Sequence, residues 1–115
     1  MKVTYPCPAC GFLVFEEEAG SYDICPICGW EDDGIQLVYP ALKGGANQDS
    51  LYEHQLLWIK GIPETIRERN GYNRDPEWRP LRMDELGDGT TCPKSGQEYF
   101  NAACTLEAEY YWRKK

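Results

Sequence analysis

Two short stretches carry the residue types that could do chemistry: Cys7-Pro8-Ala9-Cys10-Gly11 and Cys25-Pro26-Ile27-Cys28-Gly29. Each is a Cys-Pro-x-Cys-Gly knuckle. A C-x-x-C turn presents two sulfurs on one side of a tight loop, so two such turns suit a tetrahedral ion bound by four thiolates. The proline fixes one dihedral of each loop, and the glycine permits a left-handed backbone that lets amide groups approach the sulfurs. Disulfides are the competing chemistry and belong to oxidising compartments. The start Met1-Lys2-Val3-Thr4-Tyr5 reads as no signal peptide, and no run of about 18 apolar residues suggests a membrane span. The expectation is therefore a cytoplasmic chain in which Cys7, Cys10, Cys25 and Cys28 bind a metal. Zinc is expected for a closed structural site, with iron as the alternative, because tetrahedral all-sulfur coordination fits both.

The elements that must position these sulfurs are short. Val3-Thr4-Tyr5 leads into the first knuckle and Phe12-Leu13-Val14-Phe15 leaves it as a β-favouring run. Residues 16–21 read as a hairpin loop, and Tyr22-Asp23-Ile24 returns to the second knuckle. Ser50-Leu51-Tyr52-Glu53 has the form of a capping box and predicts a helix over residues 50–60, with Gly61 as its stop. Pro63 predicts a second short helix to Arg69, ended by Gly71. Residues 71–96 read as irregular, anchored by Trp78 and Leu81, with Arg74, Arg79 and Arg82 as a loose basic cluster that either binds phosphate or pairs internally with acids. Ser95-Gly96-Gln97-Glu98 is a second capping box, opening a last helix from Gln97 to Trp112. The fold expected is α+β: a small zinc-ribbon, rubredoxin-like β-hairpin module packed on two or three α-helices. The 115 residues form one domain, composed of the four-cysteine module at 1–45 and a helical and irregular extension at 46–115.

A resemblance accompanies these features. Tyr5-Pro6-Cys7-Pro8-Ala9-Cys10-Gly11, Ile24-Cys25-Pro26-Ile27-Cys28, Trp30-Glu31-Asp32-Asp33-Gly34, Gly44-Gly45-Ala46-Asn47 and Ser50-Leu51 together resemble the bacterial cysteine-rich CPCC family over about residues 4–60. The resemblance implies metal binding and implies no activity. That family often carries a third cysteine in the first knuckle, where this chain has Ala9; the usual ligand positions are kept.

Charge narrows the function. The net charge is −7, and residues 1–45 hold seven acids against two lysines, a net −5. Four thiolates on one divalent ion would add −2. Such a module repels nucleic-acid phosphates, so a nucleic-acid role is the runner-up, resting on the loop arginines and Trp78 as a base-stacking residue. A zinc ion filled by four thiolates has no place for a water, and no nucleophile elbow or phosphate loop is present, so no enzyme is expected. Protein binding comes first, in the manner of an inhibitor or immunity protein of a basic partner. Glu31, Asp32, Asp33 and Trp30 are the candidate partner surface, and Glu16, Glu17 and Glu18 are further steering charges. The same acids read equally as a solvated turn and solubilising surface. A rubredoxin-like electron carrier is third. His54, the only histidine, reads as a helix-face residue, Trp30 as covering the metal site or the next segment, and Cys92 and Cys104 as core thiols.

Overall fold

The computed structural model describes residues 4–86 and 110–113. Its regular elements are two short antiparallel hairpins and two helices. Strand β1 (Tyr5–Pro6) pairs with β2 (Leu13–Phe15) across the first knuckle, Tyr5 opposite Phe15 and Pro6 opposite Leu13, with an irregularity between. Helices α1 (Gly34–Val38) and α2 (Leu51–Trp58) follow, then β3 (Glu68–Arg69) pairs with β4 (Tyr72–Asn73). Single 3-10 turns form at Met83–Glu85 and Tyr111–Arg113. This mixed content is compatible with an α+β class.

The chain turns back across each knuckle, not from one knuckle to the other. The expected pairing of Phe12–Phe15 with Tyr22–Ile24 does not form. Instead Ile24 makes an isolated bridge with Glu31, as Pro6 pairs with Leu13 eighteen residues earlier. The physical reason is that a C-x-x-C-G turn is itself a tight reversal, so the residues flanking it are already opposite one another.

The expected helix at 50–60 is present as α2. Ser50 Oγ accepts from the Glu53 amide at 3.2 Å, and Glu53 Oε1 accepts from the Ser50 amide at 3.0 Å. The expected helix from Pro63 to Arg69 is not present. Asn70 and Gly71 both take positive φ, 53° and 85°, and join β3 to β4. Asn-Gly is the preferred pair for a two-residue hairpin turn with this backbone, and it overrides the helix-start signal of Pro63. The capping box at Ser95–Glu98, Cys92, Cys104 and nearly all of the helix expected from Gln97 to Trp112 lie outside the described residues. Of that stretch, Tyr110 and Tyr111 are buried, and Tyr111–Arg113 form a 3-10 turn.

The core gathers the four cysteines with Phe12, Phe15, Ile27, Trp30, Leu37, Leu51, Ile62, Leu81, Tyr110 and Tyr111. Described residues from both before and after residue 45 contribute to it. Beneath Trp30 a buried polar joint ties the start of α1 to the Gly44–Asn47 loop. Asp33 caps α1, its Oδ1 accepting from the Ile35 amide, while its Oδ2 accepts from the Ala46 amide. Gln36 donates to the carbonyls of Leu42, Asn47 and Asp49 and accepts from Asn47. Asn47 accepts from the Glu31 amide and donates to the Glu31 carbonyl at 2.9 and 2.8 Å. Asn47→Ala would strip partners from the Glu31 backbone and the Gln36 side chain. The expected loss is about 2 kcal/mol in urea denaturation of the metal-loaded protein.

Candidate metal centre

The two knuckles repeat one hydrogen-bond pattern. Cys7 N–H donates to the Phe12 carbonyl and Cys25 N–H to the Trp30 carbonyl; Gly11 N–H donates to the Cys7 carbonyl and Gly29 N–H to the Cys25 carbonyl. Gly11 and Gly29 share φ of 80°. The loops face each other, bringing Cys7 Sγ to 3.7 Å from Cys28 Sγ and Cys10 Sγ to 3.6 Å from Cys25 Sγ. All four sulfurs lie within 4.8 Å of one another, and all four cysteines are free and buried. The disulfide alternative is thereby set aside for these four.

The donor set fits a tetrahedral ion. Metal–sulfur bonds of about 2.3 Å place tetrahedral sulfurs about 3.8 Å apart, close to the two shortest separations here. The protonation pattern points the same way. Hydrogen bonding with Cys10, then Cys28 and Cys7, pushes the Cys25 thiol far down, whereas burial pushes Cys7 far up and the contact with Cys10 pushes Cys28 up. Four thiolates in a space this dry repel one another too strongly to ionise together, and a divalent cation removes that obstacle. Cys25 Sγ also lies 3.3 and 3.5 Å from the amides of Ile27 and Cys28, which supply positive dipole ends to a thiolate. Zinc and iron both take four sulfurs tetrahedrally.

The knuckles differ in their surroundings. In the first, Pro8, Ala9, Cys10 and Gly11 are all buried; in the second, Pro26 and Gly29 are exposed. The later part of the chain covers the first knuckle by capping its carbonyls. The Pro8 carbonyl accepts from Gln55 Nε2 at 3.0 Å and from Trp78 Nε1 at 3.1 Å, and the Cys10 carbonyl accepts from Arg74 Nε at 2.6 Å. Gln55 also accepts from the Leu81 amide and donates to the Tyr111 hydroxyl, which in turn donates to the Arg79 carbonyl. Arg74 further donates to the carbonyls of Pro63, Ile66 and Ile62, its guanidinium held between the rings of Phe12 and Trp78. Ala9 is 4% exposed, a small residue in a filled space.

Of the two readings of the basic cluster, internal pairing with an acid holds for Arg79, while Arg74 turns inward to carbonyls. Arg74 is 4% exposed and spends its donors on backbone carbonyls, and Trp78 is buried, so neither offers a surface for phosphates or bases. Arg79 grips Glu85 at 2.6 and 2.8 Å. Arg74 and Gln55 join the site as side chains whose donors hold the ligand loop; Gln55 lies one turn after Leu51 on the buried face of α2, where a polar side chain needs buried partners.

The candidate partner surface is corrected. Asp32 and Asp33 are 1% and 0% exposed and Glu31 is half-buried, so the acidic turn is no solvated patch. Asp33 is used as a helix cap, and Asp32 Oδ2 accepts from the Ser21 hydroxyl at 2.7 Å and from its amide at 3.3 Å. Trp30 is fully buried with its ring centroid 5.2 Å from that of His54. His54 is half-buried, between Trp30 and Trp58, and its Nε2–H donates to the Cys28 carbonyl at 2.9 Å. Burial lowers its pKa against that hydrogen bond. Glu16, Glu17 and Glu18 are exposed, as is Asp23.

The model of the cysteine-rich CPCC family matches residues 5–70, more than half of the chain. The chain belongs to that family, and the matched span contains both knuckles, the acidic turn and the Gly44–Asn47 loop. Among curated proteins none matches the sequence.

Two expectations follow. A Cβ on Gly11 would meet Trp78 Cγ at 2.4 Å, whereas one on Gly29 meets nothing within 4 Å, though both have the same φ. Gly29→Ala should cost about 1 kcal/mol from backbone strain and Gly11→Ala about 3 kcal/mol or more, compared by denaturation of the metal-loaded proteins. Asp32 bears on pH. Burial raises its pKa against the bonds from Ser21. A raised carboxyl binds its proton more tightly folded than unfolded, so its stabilising contribution is complete below the unfolded value and is lost as pH rises through the folded one. The stability difference between Asp32→Asn and the parent should therefore move in favour of the variant as pH rises from about 4 to about 8, the thiolate titrations cancelling in the difference.

Proposed function

We propose that the chain is a non-enzymatic protein-binding module in which Cys7, Cys10, Cys25 and Cys28 hold a structural zinc ion, with iron the alternative, in a zinc-ribbon-like, rubredoxin-related arrangement. The observation that carries this reading is the burial of four mutually close sulfurs within a shell of backbone amides and apolar side chains. An ion bound by all four has a complete tetrahedral shell, so it stabilises the loops and offers no position for a substrate or an activated water. A reducing, cytoplasmic setting keeps such thiols available.

The partner is a protein, basic in charge, and the mode is that of an inhibitor or immunity protein. Support comes from the net charge of −7 and from the location of the exposed acids. With Asp32 and Asp33 committed internally, the steering role moves to Glu16, Glu17 and Glu18 together with Asp23. Charges of this kind raise association rates and lose their effect with salt. Nucleic acid is a weaker reading because Arg74 and Trp78 are spent inside. Among the described residues no helix is long and apolar enough to cross a membrane.

The test has two parts. Purified protein should contain one zinc per chain and be colourless; a red, iron-containing protein would transfer the reading to electron transfer. Affinity capture from the native host should recover a basic protein whose association slows several-fold at high salt and with Glu17→Lys combined with Glu18→Lys. Zinc-dependent turnover of generic ester or phosphate substrates, or an association rate insensitive to both salt and charge reversal, would remove this function.

A further inference from the structure

Helix α2 uses one face for the core and leaves an ordered stripe on the other. Leu51 and Gln55 are buried. Glu53, Leu56 and Leu57 lie on the turns opposite that face at 3.6 residues per turn, with Asp49 just before the Ser50 cap and Lys60 just after the Ile59 end. These five residues line a shallow depression of about 520 Å³. Leu56 is 50% and Leu57 65% exposed. Two adjacent, half-to-two-thirds exposed leucines in the last turn of a helix that already has a buried face are not required by the packing of the described residues.

The order of charges along the strip points to what covers it. Acids stand at its amino-terminal end and a lysine at its carboxy-terminal end. Glu53 and Lys60 are each three residues from the Leu56–Leu57 pair. A second α2 laid antiparallel over a two-fold axis passing between the leucines therefore sets Lys60 of each chain against Glu53 of the other, twice, with the four leucines between. A parallel arrangement would instead place acid on acid. Glu53 already receives Lys43 at 3.1 Å, and Asp49 one turn earlier supplies a second carboxylate at the same end, so two acids are available for two lysines.

We infer that the outer face of α2 is a self-complementary interface by which two copies of this chain associate antiparallel about a two-fold axis. The leucines supply the burial and the charges fix the direction. Two helical turns bury less than a standard interface, so the dimer is weak. The inference is independent of the foreign partner proposed above and of which metal fills the sulfur site.

Sedimentation equilibrium of the metal-loaded full chain from about 10 µM to about 1 mM tests it. The expected result is a concentration-dependent shift from monomer to dimer. Leu57→Glu, at an exposed position that leaves far-UV circular dichroism unchanged, abolishes dimerisation. Lys60→Glu and Glu53→Lys each abolish it alone, and mixing those two variants restores a heterodimer, because every cross-pair is then opposite in charge. A parent protein that stays monomeric throughout, or a dimer untouched by Leu57→Glu, overturns the interface. A mixture of the two charge variants that remains monomeric overturns the antiparallel pairing.

Discussion

Everything in this small protein depends on the convergence of four sulfurs in a space from which water is excluded. Thiols so close and so buried cannot all ionise unaided, because each added negative charge opposes the next in a medium that screens poorly. A divalent ion reverses that relation. With an ion held by all four sulfurs, its binding and the folding of the knuckles would be one equilibrium, of a size comparable with the whole stability of a small domain. The strands flanking the knuckles are two or three residues long and hold few ladder bonds. They register the loops; they do not hold the sulfurs together by themselves.

The repeat within the site makes its asymmetry informative. Both knuckles use the same amide-to-carbonyl bonds and the same left-handed glycine, yet the described residues cap them unequally: three side chains reach carbonyls of the first, while His54 reaches the Cys28 carbonyl of the second. Gln55, Arg74 and Trp78 come from a helix, a strand end and a loop, and all three donate to carbonyls of Pro8 or Cys10. Arg74 also answers an electrostatic need. Its cation has carbonyl oxygens and ring faces around it, and it is joined to the ligand loop through the Cys10 carbonyl. A tetrathiolate bound to a divalent ion carries two net negative charges, and a buried guanidinium beside it lowers the cost of holding them away from water. Burial lowers the Arg74 pKa and Coulomb attraction from Cys10 opposes that, the two effects expected of a cation placed there.

What could be read from the sequence was whatever is local. The knuckle spacing brought the four cysteines together as expected, and the Ser50–Glu53 box began a helix where its residues said it would. The hairpin at 68–73 was also local, but the Asn70-Gly71 turn was obscured by Pro63, whose helix-start signal is genuine and was outweighed by strand pairing that leads into Arg74. Asp32, Asp33 and Arg74 were illegible for a different reason. A charged residue belongs on the surface unless its partners are known, and these partners are distant in sequence: Ser21 for Asp32, Ala46 for Asp33, Ile62 and Cys10 for Arg74. Backbone amides and carbonyls leave no trace in residue type, so buried charges satisfied by main chain are the hardest to foresee.

The buried acids change what the family's residues mean. Trp30-Glu31-Asp32-Asp33-Gly34 and Gly44-Gly45-Ala46-Asn47 lie far from each other in sequence, and their acidity and glycine content look like surface chemistry. In the fold they are two sides of one joint. Asp33 bridges the start of α1 to the Ala46 amide, Asn47 clasps the backbone of Glu31, and Gln36 fills the space between them. The joint stands directly after the second knuckle, so it fixes the direction in which the chain leaves the Cys25–Cys28 loop and seats Trp30 against His54. Those side chains are spent on the exit path of the Cys25–Cys28 loop. What the joint leaves exposed are the acids from Glu16 to Asp23 and the outer strip of α2.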